Sequence, residues 1–266
     1  MPDDSPVSRG KFLRSLGSSV TGMALGTGIG IAAQVLASKV AAAFPETAAA
    51  MPTPATGKKP DSAFDPFICG GSAEGNRIAL TFDDGPTPGV TERILDELKK
   101  RNVLATFFMI GQKVAAEPDL VRRVAGEGHE IGNHTFSHPN LNSLPDQQVR
   151  LEIQQAQDII TNTIKIRPTY FRPPFLAFRR NQAPLAQDMG LSIIYGNNDS
   201  RDWSQPGEGK ITDAILSQAK CGYIIICHDL HVQTANCIGP ILDNLHERGL
   251  CIAKMSSFLA PSPQGT

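Results

Sequence analysis

Apolar residues along the chain recur at two spacings, and the spacing switches repeatedly after residue 66. Residues 77–82 carry the run Ile78-Ala79-Leu80 and predict a strand. Residues 91–101 place Ile94, Leu95 and Leu98 on one helical face. The alternation continues through strand 104–109, helix Pro118–Gly126, strand 129–132, helix 146–163 and strand 169–172. Helix 181–189, strand 191–196, helix 211–219, strand 223–227, helix 234–247 and strand 250–254 complete it. Along the long helix, Val149, Ile153, Ala156, Ile160 and Ile164 recur at steps of three and four. Alternation of this kind predicts an α/β fold, a parallel sheet with helices outside. About seven βα-like units close into a (β/α) barrel, with the chemistry at the carboxyl ends of the strands.

The start of the chain has a different pattern. Arg9, Lys11 and Arg14 precede an uncharged, apolar run at 15–38, and small-residue sites follow at Ala41-Ala42-Ala43 and Ala48-Ala49-Ala50. A basic start, apolar middle and small-residue end predict an export signal over 1–43. The run is also long enough for a membrane anchor, the second reading, and a cytoplasmic tail is the third. The stretch 8–14 is similar to a twin-arginine signal but has Gly10 where the second arginine would stand. Pro45, Pro52, Pro54, Pro60 and Pro66 make 44–66 a linker. The catalytic domain is expected over 67–258, with a tail at 259–266. The protein is then exported: periplasmic, in the cell envelope or secreted.

Charge narrows the function classes. With 25 basic and 26 acidic side chains and no basic block, nothing points to nucleic acid. The five cysteines (Cys69, Cys221, Cys227, Cys237 and Cys251) contain no Cys-x-x-Cys pair, which argues against a thiolate zinc knuckle. Cys227 and Cys251 lie in apolar runs and read as small hydrophobes. Spacing leaves a Cys221–Cys237 disulfide open.

Nearly every expected strand ends in polar residues. Asp83 and Asp84 follow the first, His134 and His138 the third, Arg172 the fourth, Asp202 and Trp203 the fifth, and His228-Asp229 the sixth. Asp-Gly and Gly-Pro after Asp83 also suit an ordinary turn. The repetition at one rim favours a site instead. His134 and His138 are four apart, and on a helical turn both imidazoles would face one ion. A carboxylate from the first strand end makes three ligands and leaves positions for water and substrate. Zinc suits this set best, although other divalent ions accept the same donors. Of two adjacent acids, one can hold the metal while the other serves as base. His228, with an unperturbed pKa of about 6.5, is a candidate proton donor to a leaving amine. Arg172 is a candidate bidentate partner for a carboxylate. Trp203 reads as a sugar-stacking or pocket-wall residue, or as core. His129, His231 and His246 read as structural or surface residues.

These motifs, in this order, resemble the polysaccharide deacetylases, the NodB-homology domain of the family-four carbohydrate esterases. The resemblance covers about 75–258. It rests on Thr-Phe-Asp-Asp-Gly-Pro (81–86), His-Thr-Phe-Ser-His (134–138), Arg-Pro-Pro-Phe (172–175), Asp-Ser-Arg-Asp-Trp (199–203) and Ile-Cys-His (226–228). It implies a distorted barrel, with Asp83 as catalytic base and Asp84, His134 and His138 as metal ligands. It further implies that Arg172 orients Asp83 and that His228 is the general acid, tuned by Asp202. The Phe175 N–H would stabilise the oxyanion, and Trp203 and Ile226 would line the acetyl pocket. The family often has Tyr-Gly where Phe175 and Leu176 stand.

The expected activity is metal-dependent removal of N-acetyl groups from a polysaccharide containing N-acetylglucosamine: peptidoglycan, a chitin-like oligomer or an exopolysaccharide. Its rivals are an O-acetyl esterase on a xylan-type glycan and a glycan-binding protein on the same scaffold.

Overall fold

Successive residues of the first long strand face opposite ways, as a pleated strand requires. Ile78, Leu80 and Phe82 pack outward against helices, while Ala79 packs inward with Phe108, Ile194 and Ile224. The computed structural model describes residues 65–73 and 75–260. The expected export segment, most of the linker and most of the tail lie outside these residues. No described helix is long and apolar enough to cross a membrane.

The strands are β1 (Phe67–Ile68), β2 (Arg77–Asp83), β3 (Thr106–Met109), β4 (Glu130–Asn133) and β5 (Tyr170–Phe171). They continue as β6 (Ser192–Ile194), β7 (Asn198–Asp199), β8 (Ile224–His228) and β9 (Cys251–Ala253). All pair in parallel, in the order β1-β6-β5-β4-β3-β2-β8-β7, with β9 beside the start of β2. Only residues 195–197 separate β6 from β7. That one stretch therefore leads from the neighbour of β5 to the neighbour of β8 and completes a distorted ring.

The helices are α1 (Thr91–Lys100), α2 (Gly111–Ala116), α3 (Pro118–Gly126) and α4 (Asp146–Ile164). They continue as α5 (Ala183–Gln187), α6 (Glu208–Leu216), α7 (Val232–Glu247) and α8 (Met255–Leu259). The outer core joins Ile94, Leu95 and Leu98 of α1 to Ile238, Ile241 and Leu245 of α7 over β2 and β8. Burying such a side chain contributes about 1.5–3 kcal/mol. Arg101 clamps the two helices, reaching Asp243 Oδ1 at 2.6 Å and Glu97 Oε2 at 2.6 Å. Helix α8 closes the opposite end of the barrel from the strand termini: Met255 and Phe258 pack with Ala79 and Phe108, and Met255 N donates to Thr106 Oγ1 at 2.9 Å.

Several expectations shift. The 211–219 helix starts earlier, at Glu208 after Gly207. The 181–189 helix divides into a 3-10 turn (Arg180–Gln182) and α5, with Pro184 near its start. Helices α2 and α8 and strands β1 and β7 have two to six residues each and show no run long enough to carry a period. All five cysteines are free, so the Cys221–Cys237 pair is not formed. Cys227 is buried as expected, but Cys251 is exposed because β9 is a peripheral strand.

Candidate active site

The ends of β2, β4, β5 and β8 bring four motifs to one rim. Asp83 is the last residue of β2 and stands in register with His228, the last residue of β8. Neighbouring strands lie about 4.8 Å apart, so the two side chains flank one point on the rim. Both stay inside the barrel by the same alternation that turns Phe82 and Cys227 outward.

Asp84 follows at φ 72°, a left-handed backbone that is unfavourable for a residue with a Cβ. Its Oδ1 lies 3.2 Å from His134 Nε2 and 3.0 Å from His138 Nε2. That buried oxygen nevertheless has no partner with hydrogen-bond geometry. One ligand atom from each of the three residues lies within 4.8 Å of the others. His134 Nδ1 contacts the Arg172 carbonyl at 2.6 Å. A carbonyl only accepts, so Nδ1 carries a proton and Nε2 is the nitrogen turned towards Asp84. Burial raises the Asp84 carboxyl, but the two imidazoles outweigh it and hold the group well below the usual carboxylate range. Two imidazoles and an ionised carboxylate converging on a point none of them fills fit a divalent metal ion.

The histidines do not share a helical turn. Residues 134–138 form a loop, with Thr135 at φ 65° and His138 at φ 61°. Local hydrogen bonds override the four-residue spacing. Glu152 on α4 accepts from Phe136 N at 3.0 Å, Ser137 N at 2.8 Å and Ser137 Oγ at 2.7 Å. Asn133 Oδ1 accepts from Thr135 N at 2.9 Å, and its amide donates to Ile153 O and Gln157 Oε1. From α2, Gly111 N and Gln112 N donate to the carbonyls of Thr135 and Phe136 at 2.9 Å. Sequence reasoning missed Asn133 and Glu152. The available signal was an amide side chain at a strand end and an acid one turn from Val149 on the long helix.

Arg172 is wholly buried, with its guanidinium 4.2 Å from the centre of the Phe108 ring. Its NH1 group donates to Asp83 Oδ1 and Thr81 Oγ1, each at 2.6 Å. NH2 and Nε turn instead to the carbonyls of Tyr195 and Ile194. The contact with Asp83 therefore runs through a single nitrogen, not the bidentate fork, because the fork's other donors satisfy the strand junction. Asp83 keeps Oδ2 for other work.

His228 Nδ1 meets Asp202 Oδ1 at 2.6 Å, while Asp202 Oδ2 accepts from His228 N at 2.8 Å and Thr234 Oγ1 at 2.7 Å. Burial favours the neutral ring, but the Asp202 bond and the charges of Asp83, Asp202 and Asp84 outweigh it and raise the imidazole to about 9. The neighbouring carboxylates thus favour the protonated ring.

Phe175 and Leu176 both take positive φ, at 58° and 52°. The turn is closed by Leu176 N to Pro173 O and Ala177 N to Pro174 O, bonds that leave out the Phe175 N–H. The Phe175 ring is exposed and meets His138 edge-on, with centroids 4.7 Å apart. Trp203 is 54% exposed, which excludes the core reading, while Ile226 is buried in the wall beside Gly196. His129 is buried away from the rim; its Nδ1 accepts from Ala105 N at 3.2 Å, a structural role.

Comparison with known proteins bears on this geometry. The family described as polysaccharide deacetylase matches residues 70–194. The peptidoglycan-N-acetylglucosamine deacetylase PgdA of Listeria monocytogenes is 39% identical over 173 residues, which cover 65% of this chain and 36% of the relative. The chain thus spans about a third of that relative's length. A chitooligosaccharide deacetylase of Rhizobium leguminosarum is 36% identical over 204 residues, covering 71% of this chain and 94% of the relative. The solved peptidoglycan deacetylase PdaC of Bacillus subtilis superposes with a TM-score of 0.66 at 35% identity, covering 70% of this chain and 91% of that one. On the fold, the rim geometry and these likenesses together, the chain belongs to the polysaccharide deacetylase family.

Proposed function

We propose that this chain is a metal-dependent hydrolase that removes N-acetyl groups from a polysaccharide containing N-acetylglucosamine. The observation that carries the reading is the register of Asp83 with His228 beside the Asp84, His134 and His138 donor cluster. Asp84, His134 and His138 would hold the ion, most simply zinc, which when bound polarises the acetyl carbonyl and lowers the pKa of water towards about 7.

The chain's own residues supply the rest. Asp83, steadied by Arg172, accepts the proton of the attacking water at Oδ2. Water oxygen bonds to the acetyl carbon, and the negative charge on the carbonyl oxygen is met by the Phe175 N–H. His228, fixed by Asp202, gives its Nε2 proton to the sugar nitrogen as the carbon–nitrogen bond breaks. Acetate and a free amine leave. Ile226 and Trp203 wall the acetyl pocket, and the exposed Trp203 ring offers a face to a sugar.

The names of the peptidoglycan and chitooligosaccharide deacetylases support the substrate class. They and the apolar run at 15–38 support a location outside the cytoplasm, by export or by an anchor in the membrane. Acetate release from N-acetylglucosamine oligomers and from peptidoglycan tests the reading. Release with zinc, lost with chelator and restored by added zinc, is expected. No release from either substrate with zinc bound would favour an O-acetyl ester substrate or a binding protein.

A further inference from the structure

A carboxyl that the proposed chemistry does not use lies beneath the turn that carries both acids. Asp229 follows His228 and is wholly buried. Its Oδ2 accepts from Thr91 Oγ1 at 2.6 Å, while Oδ1 has no hydrogen-bond partner. Its N–H donates to the Asp83 carbonyl at 3.2 Å. A Cβ on Gly85 would fall 2.0 Å from Oδ2 and 2.3 Å from Oδ1. The carboxyl therefore rests against the backbone of the residue after Asp84, and only glycine admits it.

The turn is held from its far side by the same network. Thr91 Oγ1 accepts from Thr87 N at 2.8 Å, and Lys113 Nζ donates to Thr87 Oγ1 at 3.3 Å. The Gly85 carbonyl accepts from Ile110 N at 3.0 Å. A buried carboxyl with one bare oxygen is unfavourable, and burial pushes this one up to about 7. An apolar side chain of similar volume would avoid that penalty. Its presence against the acid-bearing turn calls for a role there.

We propose that Asp229 is a positioning residue for the ligand set: by its contacts with Gly85, Thr91 and the Asp83 carbonyl it fixes the turn at 83–87, so that Asp84 keeps its carboxylate where His134 and His138 converge. This rests on the proposed role of Asp84 as a metal ligand. Thr91 is the joint through which the carboxyl reaches the Thr87 N–H.

The test is zinc affinity, measured by chelator competition on the full chain and on Asp229→Ala, Thr91→Val and Thr91→Ser. The parent is expected to bind one zinc. Asp229→Ala and Thr91→Val should each weaken binding by about 10–100-fold with an unchanged circular dichroism spectrum, the range seen when support behind a metal ligand is removed. Thr91→Ser keeps the hydroxyl and should stay within about twofold of the parent on the same grounds. If Asp229→Ala does not fold, Thr91→Val decides alone. Parent-like zinc affinity in the folded variants, with only a lowered Tm, would overturn this proposal and leave the metal reading standing. A parent chain that binds no zinc would overturn both.

Discussion

His228 is half-buried beside three acids, yet its proton is held by one of them in particular. Asp202 fixes Nδ1 and thereby leaves Nε2 to face the barrel mouth. The ring's folded pKa, about 9, lies above the ordinary histidine value. The stability this pairing contributes is fully present below about 6.5 and is lost as pH rises through about 9. If His228 is the acid, kcat/KM falls on an alkaline limb as the ring loses its proton. Asp202→Asn removes the charge and should move that limb down towards about pH 7, measured as a pH profile of acetate release. Most of this residue-level placement was legible, because acids and imidazoles at strand ends signal themselves. Arg172's single-nitrogen contact was not, since the carbonyls of Ile194 and Tyr195 that divert its other donors have no side-chain signature.

At the scale of elements, the loop at 134–138 carries the most information per residue. Two of its five residues take left-handed backbone, at an intrinsic cost of about 1–2 kcal/mol each. Three hydrogen bonds to Glu152 offset that cost. Glu152→Gln keeps the size but loses the charge, which should lower stability by about 1–3 kcal/mol and weaken zinc binding about tenfold or more, read by denaturation and chelator competition. A variant with parent-like zinc affinity would show that the loop holds its own shape. The spacing of His134 and His138 suggested a helical turn because four residues suit one. The decisive interactions come from α2 and α4, outside the loop, and the spacing within the loop does not reveal them. Helix α2 escaped notice for a related reason: only Val114 and Gly111 of its six residues are buried.

The described domain is a curled sheet of short parallel strands in which one stretch, residues 195–197, leads from β6 to β7. Long strands such as β2 and long helices such as α4 were legible, because their apolar periods run for seven residues or more. The two-residue strands β1 and β7 exist through pairing with neighbours, and pairing leaves little trace in a sequence. The direction of the sheet nevertheless followed from the alternation, and it places every predicted site residue except Ile226 at or just beyond the end of a strand on one rim. A fold of this kind does not decide activity by itself. The proposed activity depends on whether the Asp84, His134 and His138 donor cluster and the Asp83–His228 pair work as separate parts. Asp83→Asn separates them, because Asp83 contacts Arg172 and leaves the donor cluster intact. Zinc content and acetate release from peptidoglycan should be measured on the same preparation of this variant and of the parent. The account predicts zinc bound as in the parent and release lowered by at least about 100-fold. Full zinc with release near the parent rate would contradict it.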